Sequence, residues 1–205
     1  VSAVVTIVRT GVANTASVSA ALRRCGCARV LSDNAREIER AALVVLPGVG
    51  SFGAGMESLR AHGLVGVLRE RIAAGRATLA VCLGLQLLCE TSAESPGVAG
   101  LGIVPGCVTP FADGVRRPQF GWNRVDADPA CRTITSGYAY FANSYRLAEV
   151  PSGWVGATAE HGGRFVAAIE RGAVVGCQFH PELSGSWGLD LIGRWLANAR
   201  EEATC

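Results

Sequence analysis

Apolar residues along this chain come in two rhythms. The runs VVTIV (4–8), ALVVLPGVG (42–50) and ATLAV (77–81) are almost continuously apolar, with no polar alternation. Strands buried on both faces read this way. Between them, apolar positions recur at helical spacing. ASVSAALRRCG (16–26) puts Val18, Leu22 and Cys25 on one stripe and stops at Gly26. Met56 to Ala74 reads as a second helix ending at Gly75, and LGLQLLCET opens a third directly after ATLAV. Strand–helix–strand–helix order predicts a parallel sheet covered by helices on both faces.

Residues 97–150 change character. Gly, Pro and aromatics alternate with short strand-like runs such as RTITSGYAYFANSYRL, which predicts antiparallel hairpins. FVAAIERGAVVGCQFHPE reads as two strands about an Arg171-Gly172 turn. GLDLIGRWLANAREE is a closing helix with Leu189, Ile192, Trp195 and Leu196 on one face. Without a repeat, low-complexity segment or linker, the expectation is one α/β domain over residues 1–205.

Composition narrows the function classes. Of the 205 residues 49% are hydrophobic and 18% charged, which suits a packed core and not a disordered chain. A formal net charge of +2 without a long basic run lacks the footprint of a nucleic-acid binder. No apolar stretch reaches the roughly 18–20 residues that span a bilayer. VSAVVTIVRTG has no basic leader region or small-residue cleavage site, so it is read as a first strand, not a signal peptide. Eight cysteines make only one C-x-C, Cys25 and Cys27, and none is paired with histidine at zinc spacing. The expectation is a cytoplasmic protein with free thiols, no metal and no cofactor.

The candidate chemistry lies where strand meets helix. In TLAVCLGLQLLCE (78–90), Cys82 stands between a buried strand and a helix start. Cysteine packs as a small hydrophobe, and that is one reading. The other is a nucleophile elbow: Ala80 and Gly84 leave room around a tight turn, the helix N-terminus favours a thiolate, and the Leu83 N–H points at a developing oxyanion. GCQFHPE supplies a base and its orienter. In extended chain residues i and i+2 project to one side, so Glu182 can reach His180 across Pro181, although the tripeptide also suits a surface turn. LPGVGSF (46–52) follows a buried strand with Gly48 and Gly50, which permit close backbone approach. It can supply a second oxyanion donor or be an ordinary connection.

Taken in order, the glycine loop, the cysteine elbow and the His-x-Glu resemble the class I (triad) glutamine amidotransferases. LPGVGSFGAGMESL, CLGLQLL, GLGIVPGCV, FGWNRV, YFANSYRL and GCQFHPELSGSWGLDLI follow one another as in the amidotransferase subunits of imidazole glycerol phosphate synthases, over nearly the whole chain. The resemblance implies a flavodoxin-like, mostly parallel sheet flanked by helices. It implies that Cys82 attacks glutamine, that His180 moves the proton and that Glu182 holds His180. Gly48, Val49, Leu83, Gln86, Glu94, Ser144 and Tyr145 would line or grip the substrate. Ammonia would pass to a (β/α)8-barrel cyclase subunit, with Asn14, Trp122 and Leu183 at that interface.

Four places depart from the family pattern. RTGVAN (9–14) replaces an Asp-Tyr-Gly-x-Gly-Asn loop, bringing Arg9 and Thr10. Leu183 stands where Lys is common, and Gln119 and Asn143 stand where His is common. These lie away from the triad and bear on docking and ammonia gating. They leave open a paralogue feeding a related synthase for surface-polysaccharide sugars. A stand-alone γ-glutamyl cysteine hydrolase with the same triad is the other enzymatic alternative.

Overall fold

A computed structural model describes residues 3–9, 11 and 14–202. Its first half alternates strand and helix: β1 Val4–Val8, α1 Thr15–Arg24, β2 Ala28–Ser32, α2 Ala35–Arg40, β3 Leu43–Gly48, α3 Phe52–Ala61, α4 Leu64–Ala73, β4 Thr78–Cys82 and α5 Leu83–Leu88. The second half is mainly strands: β5 Cys89–Ser92, β6 Val104–Pro110, β7 Gln119–Ala127, β8 Gly137–Asn143, β9 Tyr145–Arg146, β10 Val155–Glu160, β11 Arg164–Arg171 and β12 Val174–Cys177. A single 3-10 turn, Pro181–Leu183, leads into α6, Gly185–Glu202.

Nine strands form one sheet in the order β2-β1-β3-β4-β12-β11-β10-β7-β8. Pairing is parallel from β2 to β12 and antiparallel from β12 to β8. The continuous apolar runs explain the burial. In β3, Leu43 and Val45 feed one core with α1 and α6, while Val44 and Leu46 feed the other with α2, α3, α4 and α5. Leu79 and Val81 against Ala80 do the same in β4. A strand with both faces covered has no polar positions to spare.

Three sequence expectations are corrected. The helix expected from Met56 to Ala74 begins at Phe52, capped by the Ser51 hydroxyl, and is two helices. Gly63, at φ +66, breaks it, because its left-handed conformation ends α3 and restarts the chain as α4. The helix after Cys82 is only six residues long, since Cys89 turns extended and joins a small second sheet, β5-β6-β9. Finally, β2 and α2 lie in a stretch from which no element was expected. The hairpin expected in the middle region is present as β7 and β8, paired antiparallel from Gln119↔Asn143 to Val125↔Gly137.

Candidate functional site

The carboxyl ends of β3, β4 and β12 meet at one place, and the backbone there is under strain. Cys82 closes β4 and caps α5 with φ 54 and ψ −111, the one positive φ at a non-glycine among the described residues. Such a conformation costs about 1–3 kcal/mol and persists only where the surroundings enforce it. Here they do. A Cβ on Gly84 would lie 2.1 Å from the Leu46 carbonyl oxygen, and one on Gly48 would lie 2.8 Å from Leu83 Cβ. Bare glycines on both sides let β3 and the first turn of α5 close around the cysteine.

His180 follows β12 in extended conformation, and its backbone is clamped from two sides. Its N–H donates to Tyr140 O of β8 at 2.9 Å, and Ser184 Oγ donates to its carbonyl at 2.6 Å. The His180 Nδ1 and Glu182 Oε1 lie 2.9 Å apart, with both side chains almost fully buried. Period-2 spacing predicts that Glu182 reaches His180 from a continued strand. It does so instead from the 3-10 turn that Pro181 opens, which bends the chain back under the imidazole. The other carboxylate oxygen, Oε2, is buried and makes no hydrogen bond.

Burial works to lower the pKa of His180, but hydrogen bonds to Cys82 and Glu182, with their negative charges, outweigh it and raise it to about 10. Sulfur and carboxylate thus both favour the protonated imidazole between them. This is the form that can later release a proton to a leaving group.

Around this pair lies a cavity of about 290 Å3, lined by Val49, Gly50, Cys82, Leu83, Gln86, Glu94, Ala142, Asn143, Ser144, Tyr145 and His180. Its size is near the lower end for small-molecule sites. Six of the seven expected substrate residues line it; Gly48 lies behind, under Leu83. Glu94 has a structural task as well, since its Oε2 accepts from the Phe52 N–H at 2.7 Å and so caps the start of α3. Gln86 spends both amide hydrogens on protein: Nε2 donates to Tyr145 O at 3.2 Å and to Gln178 Oε1 at 2.9 Å. Only its Oε1 remains for a ligand, as an acceptor.

The expected interface residues lie apart from this cavity. Trp122 is 59% and Leu183 40% exposed, beside Phe120 and Tyr138 at 71% and 61%. Together with Tyr140, which stacks edge-on against Phe120 and Trp122, they make an aromatic face near the His180 turn. Asn14 caps α1, accepting from the Ser17 N–H. Of the departures, expected away from the triad residues, Arg9 pairs with Asp33 at the surface and Gln119 is buried on β7, but two are corrected: Asn143, its partner on β8, lines the same cavity as Cys82 and His180, and Leu183 shares the 3-10 turn of Glu182. Thr10 lies outside the described residues. No group of three or more potential ligands could hold a metal among the described residues. The contact that sequence reasoning missed is Gln178. The period-2 rule applied forward from His180 to Glu182 also applies backward, and it finds Gln178 on the same side.

Residues 7–192 match the family described as Glutamine amidotransferase class-I. The chain is 39% identical over 188 residues to the imidazole glycerol phosphate synthase subunit HisH of Streptococcus gordonii, covering 89% of this chain and 90% of that one. It is 40% identical over 198 residues to the same-named subunit of Methanopyrus kandleri, covering 95% and 98%. A solved structure titled as a glutamine amidotransferase superposes with a TM-score of 0.77 at 20% identity, over 95% of this chain and 98% of that chain, which supports the shared fold. Elbow, cavity and sheet order thus coincide with sequence kinship over nearly the full length: the chain belongs to the class-I glutamine amidotransferase family.

Proposed function

We propose that this chain is the glutaminase subunit of an imidazole glycerol phosphate synthase, acting as one domain on L-glutamine. The observation that carries the reading is the strained Cys82 facing His180, which Glu182 holds at 2.9 Å. The Cys82 thiolate adds to the side-chain carboxamide carbon, and the carbonyl electron pair moves to oxygen. The N–H groups of Leu83 and Val49 are the candidate donors to that oxyanion. On collapse the C–N bond breaks, and His180 gives its proton to the departing nitrogen, which leaves as ammonia. Water, deprotonated by the now neutral His180, attacks the γ-glutamyl thioester. Collapse of that second adduct expels the thiolate and yields glutamate.

At the other end of the substrate, Gln86 Oε1 and Glu94 accept from the α-ammonium, and the Ser144 hydroxyl donates to the α-carboxylate. Tyr145 forms the adjoining wall. No cofactor enters this chemistry. The aromatic face of Phe120, Trp122 and Tyr138 suits a protein partner, since large exposed aromatics with a polar surround mark interaction sites. The partner in this reading is the (β/α)8-barrel cyclase subunit of the same synthase, which uses the ammonia in histidine biosynthesis. Asn14 and Leu183 belong to the same docking surface. A cytoplasmic location fits, and no described helix is long and apolar enough to cross a membrane.

Glutamate release from glutamine, with and without the cyclase subunit and its ribotide ligand, tests the reading. The expected result is slow hydrolysis by the chain alone and a rate higher by about a hundredfold in the loaded complex, the worth of one oxyanion donor. Gly50, at φ +97, gives the Val49 peptide room to reorient on docking. Equal rates in all conditions would instead favour a stand-alone γ-glutamyl hydrolase.

A further inference from the structure

A file of buried amides runs from the wall of the cavity to the reacting sulfur. The Tyr145 carbonyl accepts from Asn143 Nδ2 at 3.0 Å and from Gln86 Nε2 at 3.2 Å. Gln86 Nε2 also donates to Gln178 Oε1 at 2.9 Å, and Gln178 Nε2 donates to Cys82 Sγ at 3.8 Å. Gln178 is 1% exposed, so it has no exchange with solvent to relax its orientation. The direction of the file is fixed from its far end. A backbone carbonyl can only accept, so Gln86 must present its amide nitrogen. Gln178 must then answer with its oxygen, and its own N–H groups face the sulfur.

We infer that Gln178 is a further catalytic residue of this site, an N–H donor that holds the Cys82 sulfur in its anionic form opposite His180, with Gln86 as its positioning residue. The donor acts twice in the cycle. It stabilises the thiolate that attacks, and it stabilises the same thiolate as leaving group when water has added to the thioester and the C–S bond breaks. Hydrogen bonds to ionised partners are the stronger ones, and a buried site enlarges their effect. The file also ties the nucleophile to the cavity wall, since the Tyr145 carbonyl that anchors it adjoins the substrate space. This assignment rests on the glutaminase reading, but its main test needs no glutamine.

The test is the pH dependence of Cys82 alkylation by iodoacetamide in the full chain, read on the Cys82 peptide by mass spectrometry. The thiolate displaces iodide, forming S–C and breaking C–I. Gln178→Met keeps length and removes the donor; Gln178→Glu keeps shape and the acceptor for Gln86 but puts a carboxylate beside sulfur. At pH 7 the expected order of rates is wild type, then Gln178→Met, then Gln178→Glu. The alkylation midpoint should move up by about one pH unit in the Met variant, roughly tenfold slower labelling below it. A packing role alone would leave Gln178→Glu at least as fast as Gln178→Met. Unchanged midpoints in both variants would overturn the inference.

In turnover, Gln178→Met should lower kcat about tenfold or more with KM for glutamine within about twofold. If neither variant folds, the wild type answers by NMR, because the chain has only three glutamines, at 86, 119 and 178. The Gln178 side-chain amide signal should move when Cys82 is alkylated, and a signal that stays put would contradict the contact. Absence of glutamine hydrolysis by the wild-type chain in its complex would sink the glutaminase reading itself, which the alkylation order does not depend on.

Discussion

Strands β3 and β4 carry a buried basic side chain near each end, and the two ends are built by opposite rules. At the amino ends Arg71 is 2% exposed, and all five of its N–H groups are matched. Nε donates to Thr78 Oγ1, and the terminal nitrogens donate to the carbonyls of Ile38, Ala41, Ala42 and Ala77. Burial, and to a lesser degree Arg76, lowers its pKa to about 10, so it stays charged at neutral pH without a carboxylate partner. At the carboxyl ends the backbone of Cys82 is strained, Glu182 Oε2 has no hydrogen-bond partner, and His180 is buried between the Cys82 sulfur and the Glu182 carboxylate, which raise its pKa against its burial. One end satisfies every group and holds the fold. The other leaves conflicts that the surrounding packing sustains, as at sites where strain serves chemistry.

Substitutions at the two ends should therefore fail in different ways. Cys82→Ser should lower glutamine-dependent turnover by on the order of a thousandfold or more, with the unfolding free energy within about 1 kcal/mol of wild type. In the complex, added ammonium salt should still support the cyclase. Arg71→Met should do the reverse at this level, losing about 3 kcal/mol or more of stability because five acceptors each lose a hydrogen bond in the interior, of which the Ala41 and Ala77 carbonyls keep another donor, from Arg76 and Val44. Chemical denaturation and glutamate release on the same preparations separate the two. A Cys82→Ser variant that unfolds, or an Arg71→Met variant of full stability, would erase the contrast.

Within the strained end, His180→Ala should lower turnover by on the order of 10^3–10^4-fold and Glu182→Gln by less, about a hundredfold. An amide still orients the imidazole but supports its cation poorly. Steady-state rates in the complex check the order, and near-normal rates in both variants would remove these residues from the mechanism. Gly84→Ala joins the two kinds of failure. Its Cβ has no room beside the Leu46 carbonyl, so about 3 kcal/mol of stability and the elbow geometry should be lost together.

How much of this was legible in the sequence follows the same physics. The strands buried on both faces announce themselves, because continuous apolar runs such as LVVL have no other comfortable place. The missed strand β2 is an edge strand whose Val30 and Leu31 are substantially exposed, so ARVLS carries no pattern to read. Gly63 was an ambiguous signal, since a glycine inside a helical run is often tolerated, and only its left-handed backbone decides for a break. The order of Cys82, His180 and Glu182 and the closeness of the last two were readable, but the amide file was not. Gln86 and Gln178 stand 92 residues apart, and only the parallel pairing of β4 with β12 brings them together.

The Cys82 end should also show, across neutral and mildly alkaline pH, a pH dependence of stability that the Arg71 end lacks. The folded pKa of His180, about 10, lies above the unfolded value of 6.5. The stability it contributes is full below about pH 6.5 and is lost as pH rises through about 10. Unfolding free energies of wild type and His180→Gln should therefore converge across that window. A difference that stays constant with pH would mean that His180 is not held as a cation.

Whether Cys82 is the nucleophile of a glutaminase is decided by covalent capture. The chain in complex with its cyclase partner is treated with a diazoketone analogue of glutamine and digested, and the adduct is located by peptide mass spectrometry. One adduct is expected, on Cys82, formed in step with loss of glutaminase activity, blocked by excess glutamine and absent in Cys82→Ser. An adduct on another of the eight cysteines, or full loss of activity with Cys82 unmodified, would contradict it.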